Sequence, residues 1–338
     1  MAHAFDYFEQ YGNSELKVTG FIEDPSYSGQ NNIFMTQQIE PSFFIEQGSM
    51  EILVKPRLRV GNNGAGRVDL SEAHISFRHQ NYDVRIGSIT EFWGKTESYN
   101  PSDIVNSYDY TSGLASSEKL GAPAFKLSSE IYGGYASFYL FPLFVENAYP
   151  GVSSRQRLQS LVINDVACFA YDAARNDNSF AFRYEGYYED LDYGVSYFDG
   201  ISREPFFIPD ADTRLLPEYA PIRQIAVDLQ YLLGDLAFKT EIVNRSGQRN
   251  VNGILENYNA GVLGIEQNKY GVLGSQYDLV LFGEISADSR GNNSHTIFQR
   301  DLTVGGSLLF NDIDNSCLLY TSDAADEGLG VDLGGRRI

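Results

Sequence analysis

Apolar and polar residues alternate through most of this 338-residue chain, in segments that are long for β-strands. In the segment 51–60, Ile52 and Leu58 fall on one face of an extended strand, whereas Arg57 and Arg59 fall on the other. Such runs extend over about 9 to 12 residues, as in tilted strands that cross a bilayer, whereas soluble strands average about 5 or 6. The pattern predicts about 14 strands, with ends uncertain by a few residues. They lie at 15–23, 33–46, 50–60, 67–78, 82–91, 124–132, 135–144, 178–188, 191–201, 221–231, 236–245, 257–267, 277–287 and 301–312.

The connections between these segments alternate between short turns and longer links. Turns are predicted at 47–49, 79–81, 133–134, 189–190 and 234–235, with a looser one at 268–276. The longer links are 24–32, 61–66, 92–123, 145–177, 202–220, 246–256 and 288–300. In an antiparallel sheet of consecutive strands, this order puts turns at one end and loops at the other, which is typical of outer-membrane barrels in Gram-negative bacteria. We therefore expect an all-β, antiparallel transmembrane β-barrel that is truncated, with about 14 strands present and 16 or more in the full-length protein.

The composition agrees with this expectation and excludes other classes. The chain has 45 acidic and 25 basic residues and a net charge of -20, which argues against nucleic acid as a partner. Its longest apolar run, 138–145, is too short for a membrane-spanning helix. Mean hydropathy is -0.27, as expected when apolar outer faces and polar inner faces are averaged. A secreted, soluble all-β binding protein remains the alternative fold.

Both ends of the sequence resemble processing or foreign segments. Ala2-His3-Ala4 has the form of a signal-peptidase site, so we expect 1–4 to be the remnant of a signal-peptide cleavage region. The segment 317–327 reads CLLYTSDAADE, which resembles a translated transposase-type sequencing adapter, and VDLGGRRI at 331–338 resembles the continuing adapter. We expect 5–316 to be an outer-membrane barrel, incomplete at its C-terminus and read from a metagenomic fragment, and 317–338 to be an adapter-derived artefact.

One stretch carries a resemblance to a known family. The segment 68–110 reads VDLSEAHISFRHQNYDVRIGSITEFWGKTESYNPSDIVNSYDY. It resembles a largely uncharacterised family of Proteobacterial porin-like outer-membrane β-barrels. The matching positions in the loop are Trp93, Gly94, Lys95, Asn100, Pro101, Asp103, Asn106, Asp109 and Tyr110. The resemblance implies an outer-membrane barrel with a pore or uptake role, and it implies no particular substrate.

The long link 92–123 is the main candidate for a functional loop. Trp93 would end a strand at the level of the membrane interface, and 96–120 would form an ordered loop at the extracellular end. In one interpretation this loop folds into the lumen as a constriction, with Asp103 and Asp109 facing basic strand residues. In the other, local hydrogen bonds brace it against the wall. In the link 145–177, the apolar spacing around Arg157 predicts a short helix.

Basic side chains on the predicted inner faces are the candidates for lining a pore. They are Lys55, Arg57, Arg59, Arg78 and Arg85, with Asp103 and Asp109 of the loop opposite. Facing charges of this kind would select solutes by charge, unless neighbours such as Glu72, Glu185 and Glu241 neutralise them. We find no metal-ligand spacing, nucleophile motif or phosphate-binding loop, and so predict no catalytic residue, metal or cofactor.

These observations favour a porin-like channel for diffusion or uptake of small solutes. Its partners would be outer-membrane lipid, small-molecule solutes and a second copy of the chain in a homo-oligomer. A barrel that serves as a scaffold for an enzyme or an adhesin is the alternative function.

Overall fold

The fold is one large antiparallel sheet in which each strand pairs with the next along the chain. The computed structural model describes residues 5–64, 66–112, 118–171, 173–212, 214–311 and 317–324. Its main sheet has 15 strands in sequential order. They are β1 (Tyr7–Gly20), β2 (Ile33–Gln47), β3 (Met50–Gly61), β4 (Arg67–Arg78), β5 (Asp83–Ile89), β6 (Ala122–Ile131), β7 (Gly134–Phe141), β8 (Ser179–Tyr188), β9 (Leu191–Ile201), β10 (Pro221–Leu233), β11 (Leu236–Arg249), β12 (Leu255–Lys269), β13 (Asp278–Asp288), β14 (Arg300–Leu309) and β15 (Cys317–Ala324). Every strand predicted from the alternation occurs, although β1 begins well before its predicted start.

Turns and loops occupy opposite ends of the sheet, as predicted. Ile131 pairs with Gly134 across the two-residue turn at 132–133. Tyr132 and Gly133 both have positive φ angles, 52° and 76°, which is the backbone of a type I′ hairpin. The connections at the turn end are not all shorter than those at the loop end, in contrast to the prediction. Because β11 and β12 extend beyond their predicted ends, the loop between them shrinks to 250–254, whereas the turn before β13 spans 270–277.

A β-bulge lies within β4 and changes the phase of its alternation, because the outward residues are Val68 and Leu70 before it and Ile75 and Phe77 after it. Lys55 pairs with Glu72 and Pro56 pairs with Leu70, so Ser71 is an extra residue in β4. The Ser71 hydroxyl donates a hydrogen bond of 3.0 Å to the Lys55 carbonyl oxygen.

The two faces of the sheet differ in the expected way. Outward side chains are apolar and exposed, for example Phe182, Ile242 and Leu263. Inward side chains include buried charges such as Asp228 and Glu284. This is the arrangement of a barrel with an apolar outside and a polar inside, rather than of a soluble sandwich with an apolar core.

Three further features complete the fold. No backbone pairing joins β1 to β15 within the described residues, so the sheet is not closed there. β15 lies in the segment that resembles an adapter, and the origin of that segment stays a prediction. No helix in the described part of the chain is long and apolar enough to cross a membrane.

The loop end carries its own small sheet, and one predicted element is wrong. This sheet has three short strands, which are Cys168–Phe169, Leu215–Tyr219 and Phe206–Pro209. The helix predicted near Arg157 does not form. Instead, the guanidinium of Arg157 donates hydrogen bonds to the backbone carbonyls of Val152, Ser28 and Leu158. The bond to Ser28 joins this loop to the loop between β1 and β2.

Candidate functional site: an ordered loop across the lumen

The segment between β5 and β6, of which 90–112 and 118–121 are described and are here called the lumen loop, folds into the barrel. Its residues Trp93, Ile104 and Val105 are almost fully buried and form an apolar cluster with inward side chains of the wall, among them Tyr139 and Phe198. The burial of these residues holds the loop inside the sheet, because exposing them to water would forfeit their hydrophobic stabilisation.

Trp93 lies in this cluster and not at the membrane interface, so that prediction is wrong. Its side chain is 1% exposed. The indole packs edge-on against the ring of Tyr139, with ring centres 5.7 Å apart, and the guanidinium of Arg183 lies 5.6 Å from the indole centre. An aromatic neighbour and a cation, both on the inner side of the wall, are therefore the contacts of this indole.

The part of the loop from Gly94 to Ser102 reaches Glu241 on β11. One oxygen of the buried Glu241 carboxylate accepts hydrogen bonds from the backbone nitrogens of Lys95 (2.7 Å) and Thr96 (3.0 Å). It also accepts from the Thr96 hydroxyl (2.7 Å) and the Asn100 side-chain amide (2.9 Å). The other oxygen accepts from the backbone nitrogen of Ser102 (3.2 Å). A buried carboxylate with this many donors is fully solvated by protein groups.

A second wall carboxylate, Glu284 on β13, holds the next residues of the loop. It accepts hydrogen bonds from the backbone nitrogens of Glu97 (2.7 Å) and Ser98 (2.8 Å), and from the Ser98 hydroxyl. Glu284 is 2% exposed. We call Glu241 and Glu284 together the carboxylate latch.

Two motif residues shape the loop for this latch. A Cβ atom on Gly94 would lie 2.7 Å from Oε1 of Glu241 and 2.8 Å from Nδ2 of Asn100, so only glycine allows this approach. Asn100 also donates to the Thr96 carbonyl oxygen at 2.6 Å, which closes the turn. The carbonyl oxygen of Pro101, which is buried, faces Arg245 at 3.5 Å.

Asn106 and Asp103 fasten the base of the loop. The Asn106 amide donates to the carbonyl oxygens of Ile89 and Leu120, and its oxygen accepts from the Glu91 backbone nitrogen, each at 2.9 Å.

Asp103 forms an ion pair with Lys119 at 2.5 Å and accepts from the Tyr108 hydroxyl at 2.8 Å. Burial raises the pKa of Asp103, against the opposing effect of Lys119, and burial lowers the pKa of Lys119. The partner of Asp103 is thus a loop residue and not one of the basic strand residues.

Asp109 and Tyr110 contact two other parts of the barrel. Asp109 forms a buried ion pair with Arg59 of β3 and accepts from the Thr111 hydroxyl at 2.6 Å. The Tyr110 ring stacks on Tyr149 of the next loop, with ring centres 5.6 Å apart. The lumen loop is therefore bonded both to β3 and, through the latch, to β11 and β13.

The predicted pore-lining cations are mostly paired. Lys55 contacts Glu72 at 2.6 Å, and Arg57 contacts Asp69 at 2.9 Å and also Glu118 of the loop. Arg78 lies at the turn end, where it contacts Glu51 at 3.0 Å with its side chain 68% exposed. Arg85 pairs in register with Ser76 and Lys126 on the inner face, and no carboxylate contacts it within the described residues. Whether these residues line a path for solutes stays a prediction.

The sequence did not single out the latch. The sequence marked Glu241 only as a possible neutralising neighbour and did not single out Glu284, because their donors lie up to 187 residues away in the chain. The run Thr96–Ser98, with its small hydroxyl side chains, was the only local signal of a segment that binds carboxylates. No group of three or more histidine, cysteine or acidic residues in the described ranges could hold a metal ion.

Sequence comparisons find no matching family model and no matching curated protein. Several solved structures are similar in fold. The outer membrane channel DcaP of Acinetobacter baumannii aligns with a TM-score of 0.51 at 8% identity, over 94% of this chain and 90% of that chain. A loop L8 deletion mutant of OmpT, an outer membrane protein of Vibrio cholerae, aligns with a TM-score of 0.49 at 11% identity, over 96% and 95%. OprD from Pseudomonas aeruginosa aligns with a TM-score of 0.47 at 10% identity, over 89% and 67%. The similarity to DcaP, together with the sequential antiparallel sheet, shows that this chain has the fold of a porin-like outer-membrane β-barrel.

Proposed function

We propose that this chain forms a porin-like channel in the bacterial outer membrane, through which small solutes diffuse or are taken up. The observation that carries the proposal is the lumen loop, which lies across the inside of the barrel and is bonded to the far wall by Glu241 and Glu284. The resemblance of 68–110 to porin-like barrels and the structural similarity to an outer membrane channel support it. The partners are outer-membrane lipid and the solutes themselves, and the chain assembles as a homo-oligomer.

The latch gives the proposed constriction a fixed shape. Backbone nitrogens of five loop residues are bonded to two buried carboxylates, so the loop backbone has little freedom to move in and out of the lumen. A rigid constriction limits the size of the solutes that pass, while the inward polar side chains keep the lumen hydrated. No covalent chemistry and no cofactor is part of this proposal.

The alternative is a barrel that acts as a scaffold for an enzyme or an adhesin. That alternative predicts no flux of solutes through the lumen, whereas the channel predicts flux that falls with solute size. The two functions are therefore separated by a transport measurement.

The test is the swelling of liposomes that contain the refolded chain, in isosmotic sugars of increasing size. Heat-modifiable migration on a gel first establishes that the barrel has folded. We expect swelling that is fast for small sugars and slow for large ones. Swelling no faster than in protein-free liposomes, from folded protein, would reject the channel. Chemical cross-linking in detergent tests the homo-oligomer separately.

A further inference from the structure

We propose that the channel selects small cations, both inorganic cations and organic ammonium compounds, over anions. This inference rests on the proposed function and adds the class of solute. It follows from the way in which the charges on the lumen side are paired.

Two cations of β3 that face the lumen loop are neutralised by carboxylates. Arg57 and Arg59, whose side chains are 4% and 2% exposed, are bound by Asp69, Glu118 and Asp109. Farther along the wall, four more basic side chains have at least one acidic partner. These pairs are Lys126 with Glu91, Arg183 with Asp228, Lys239 with Glu97 and Glu266, and Arg245 with Glu204. A paired cation acts as part of a dipole and contributes little net attraction for anions.

Carboxylates without a cationic partner lie on the inner faces of β1 and β2. The Gln38 side chain donates to Glu118 of the lumen loop at 3.1 Å, which identifies the lumen face of β2. Glu40 lies two residues farther on and shares this face. Glu15 pairs in register with Gln38, so it shares the face too. Neither Glu15 nor Glu40 has a basic group within ion-pair distance among the described residues, and the cations that act on Glu40 are Arg57 and Lys55 of β3.

The remaining unpaired charges on the lumen side are also mostly negative. Glu9 and Glu46 share the inner faces of β1 and β2, and Asp301 is buried on the inner face of β14. Against them stand Lys17 on β1, Arg85 on β5, Lys95 in the loop and the buried Arg203, which donates to the Val105 carbonyl oxygen. None of the four has a carboxylate partner in the part of the chain that is described. The unpaired carboxylates outnumber these cations, and Glu15 and Glu40 lie on the wall that contacts the loop.

The physical effect of such carboxylates is largest in a narrow opening. At physiological ionic strength charges are screened over about 8 Å, which is comparable to the width of a constricted pore. Low-dielectric walls concentrate the field in the water between them, so unpaired carboxylates raise the local concentration of cations and lower that of anions. Substitution of a paired carboxylate would test pairing, whereas substitution of Glu15 and Glu40 tests the unpaired charge itself.

The experiment is the reversal potential of the current through the full chain in a planar bilayer, under a KCl gradient and then under a methylammonium chloride gradient. We expect the cation to be several-fold more permeant than chloride in both salts. The variant Glu15→Gln/Glu40→Gln should lower the permeability ratio at least about twofold, because each glutamine keeps the size of the side chain and removes its charge. Asp235→Asn, in the exposed turn between β10 and β11, is the matched control and should leave the ratio unchanged.

The outcomes separate the inference from the proposed function. A current with equal or greater permeability for chloride overturns cation selection and leaves the channel intact. A cation-to-chloride permeability ratio that is equal in the double variant and the unmodified chain also overturns the inference and leaves the channel intact. Folded protein that carries no current overturns both.

Discussion

One carboxylate oxygen of Glu241 accepts a 2.7 Å hydrogen bond from the backbone nitrogen of Lys95, a residue 146 positions away in the chain. The acceptor belongs to the wall strand β11 and the donor to the lumen loop. Because the carboxylate is fully buried, its donors cannot be replaced by bulk water without moving the loop. The position of the loop therefore depends on this long-range contact and not on local turn geometry alone.

Glu241→Gln should loosen the lumen loop while the barrel stays folded. A glutamine presents one oxygen and one amide group to a set of donors, so at least one donor loses its acceptor. Hydrogen bonds to a buried charge contribute about 1.5 to 3 kcal/mol each. We expect faster hydrogen exchange at the amides of Lys95, Thr96 and Ser102, measured by mass spectrometry. Glu130→Gln, on an exposed strand end, is the control, and equal exchange in both variants would contradict the role of the latch.

Gly94→Ala should displace the same segment by steric means. The added methyl group would lie 2.7 Å from Oε1 of Glu241, and relief of such overpacking costs about 1 to 3 kcal/mol. Gly20→Ala is a matched control, because no atom lies within 4 Å of the position that its added methyl group would take. We expect thermal unfolding of the loop region, followed by Trp93 fluorescence, at lower temperature only for Gly94→Ala. Equal transitions would show that Gly94 does not limit the approach.

Arg59→Met should be strongly destabilising because it leaves the buried Asp109 without its cation. Breaking a buried ion pair by removal of one partner costs about 3 to 5 kcal/mol. The double variant with Asp109→Leu should recover much of that loss. The exposed pair Arg223–Asp199, with side chains 72% and 42% exposed, offers a control for which Arg223→Met should cost at most about 1 kcal/mol. Urea unfolding in detergent micelles measures both, and similar losses at the two sites would contradict the assignment of Arg59 and Asp109 as a buried pair.

The loop 289–299 should lose stability in mild acid. Burial lowers the pKa of His295 below its ordinary value of 6.5, with a smaller opposing effect of Glu204 and a smaller lowering effect of Arg290. The unfolded loop therefore takes up a proton at a higher pH than the folded loop does. The stability of the folded loop is fully present above pH 6.5 and falls as the pH drops through that value toward the lower pKa of the folded state. Hydrogen exchange of the loop at about pH 7.5 and about pH 5, corrected for intrinsic rates, should show this loss. His295→Asn should abolish the pH dependence, and an unchanged dependence in that variant would assign it to another group.

Ile242→Arg should destabilise the barrel in lipid bilayers. Ile242 is 57% exposed on the outer face, at the middle of β11. An arginine facing hydrocarbon at the midplane costs about 2 to 4 kcal/mol, and at the interface about 0 to 1 kcal/mol. Leu233→Arg, next to the turn, is the control for the interface. Reversible unfolding from liposomes should rank the two variants in this order, and equal costs would contradict the proposed orientation in the membrane.

The strands could be predicted from the sequence because alternation is a local property of each segment. Ile225, Ile242 and Leu263 face outward as their parity requires, and the bulge at Ser71 was visible as a change of phase. The path of the lumen loop could not be predicted, because its acceptors lie on strands that are distant in the chain. The partner of Asp103 was predicted on a strand and is found in the loop, at Lys119, because the fold of the loop itself brings these two side chains together.

The most direct test of the central claim is the single-channel conductance of the full chain beside that of the variant Glu241→Gln/Glu284→Gln in planar bilayers. If the latch holds the lumen loop as a constriction, the unmodified chain conducts in discrete steps. The double variant should then show a larger and noisier conductance, because its loop is released from the far wall. Folded protein without conductance, or identical conductance in the two proteins, would contradict the account.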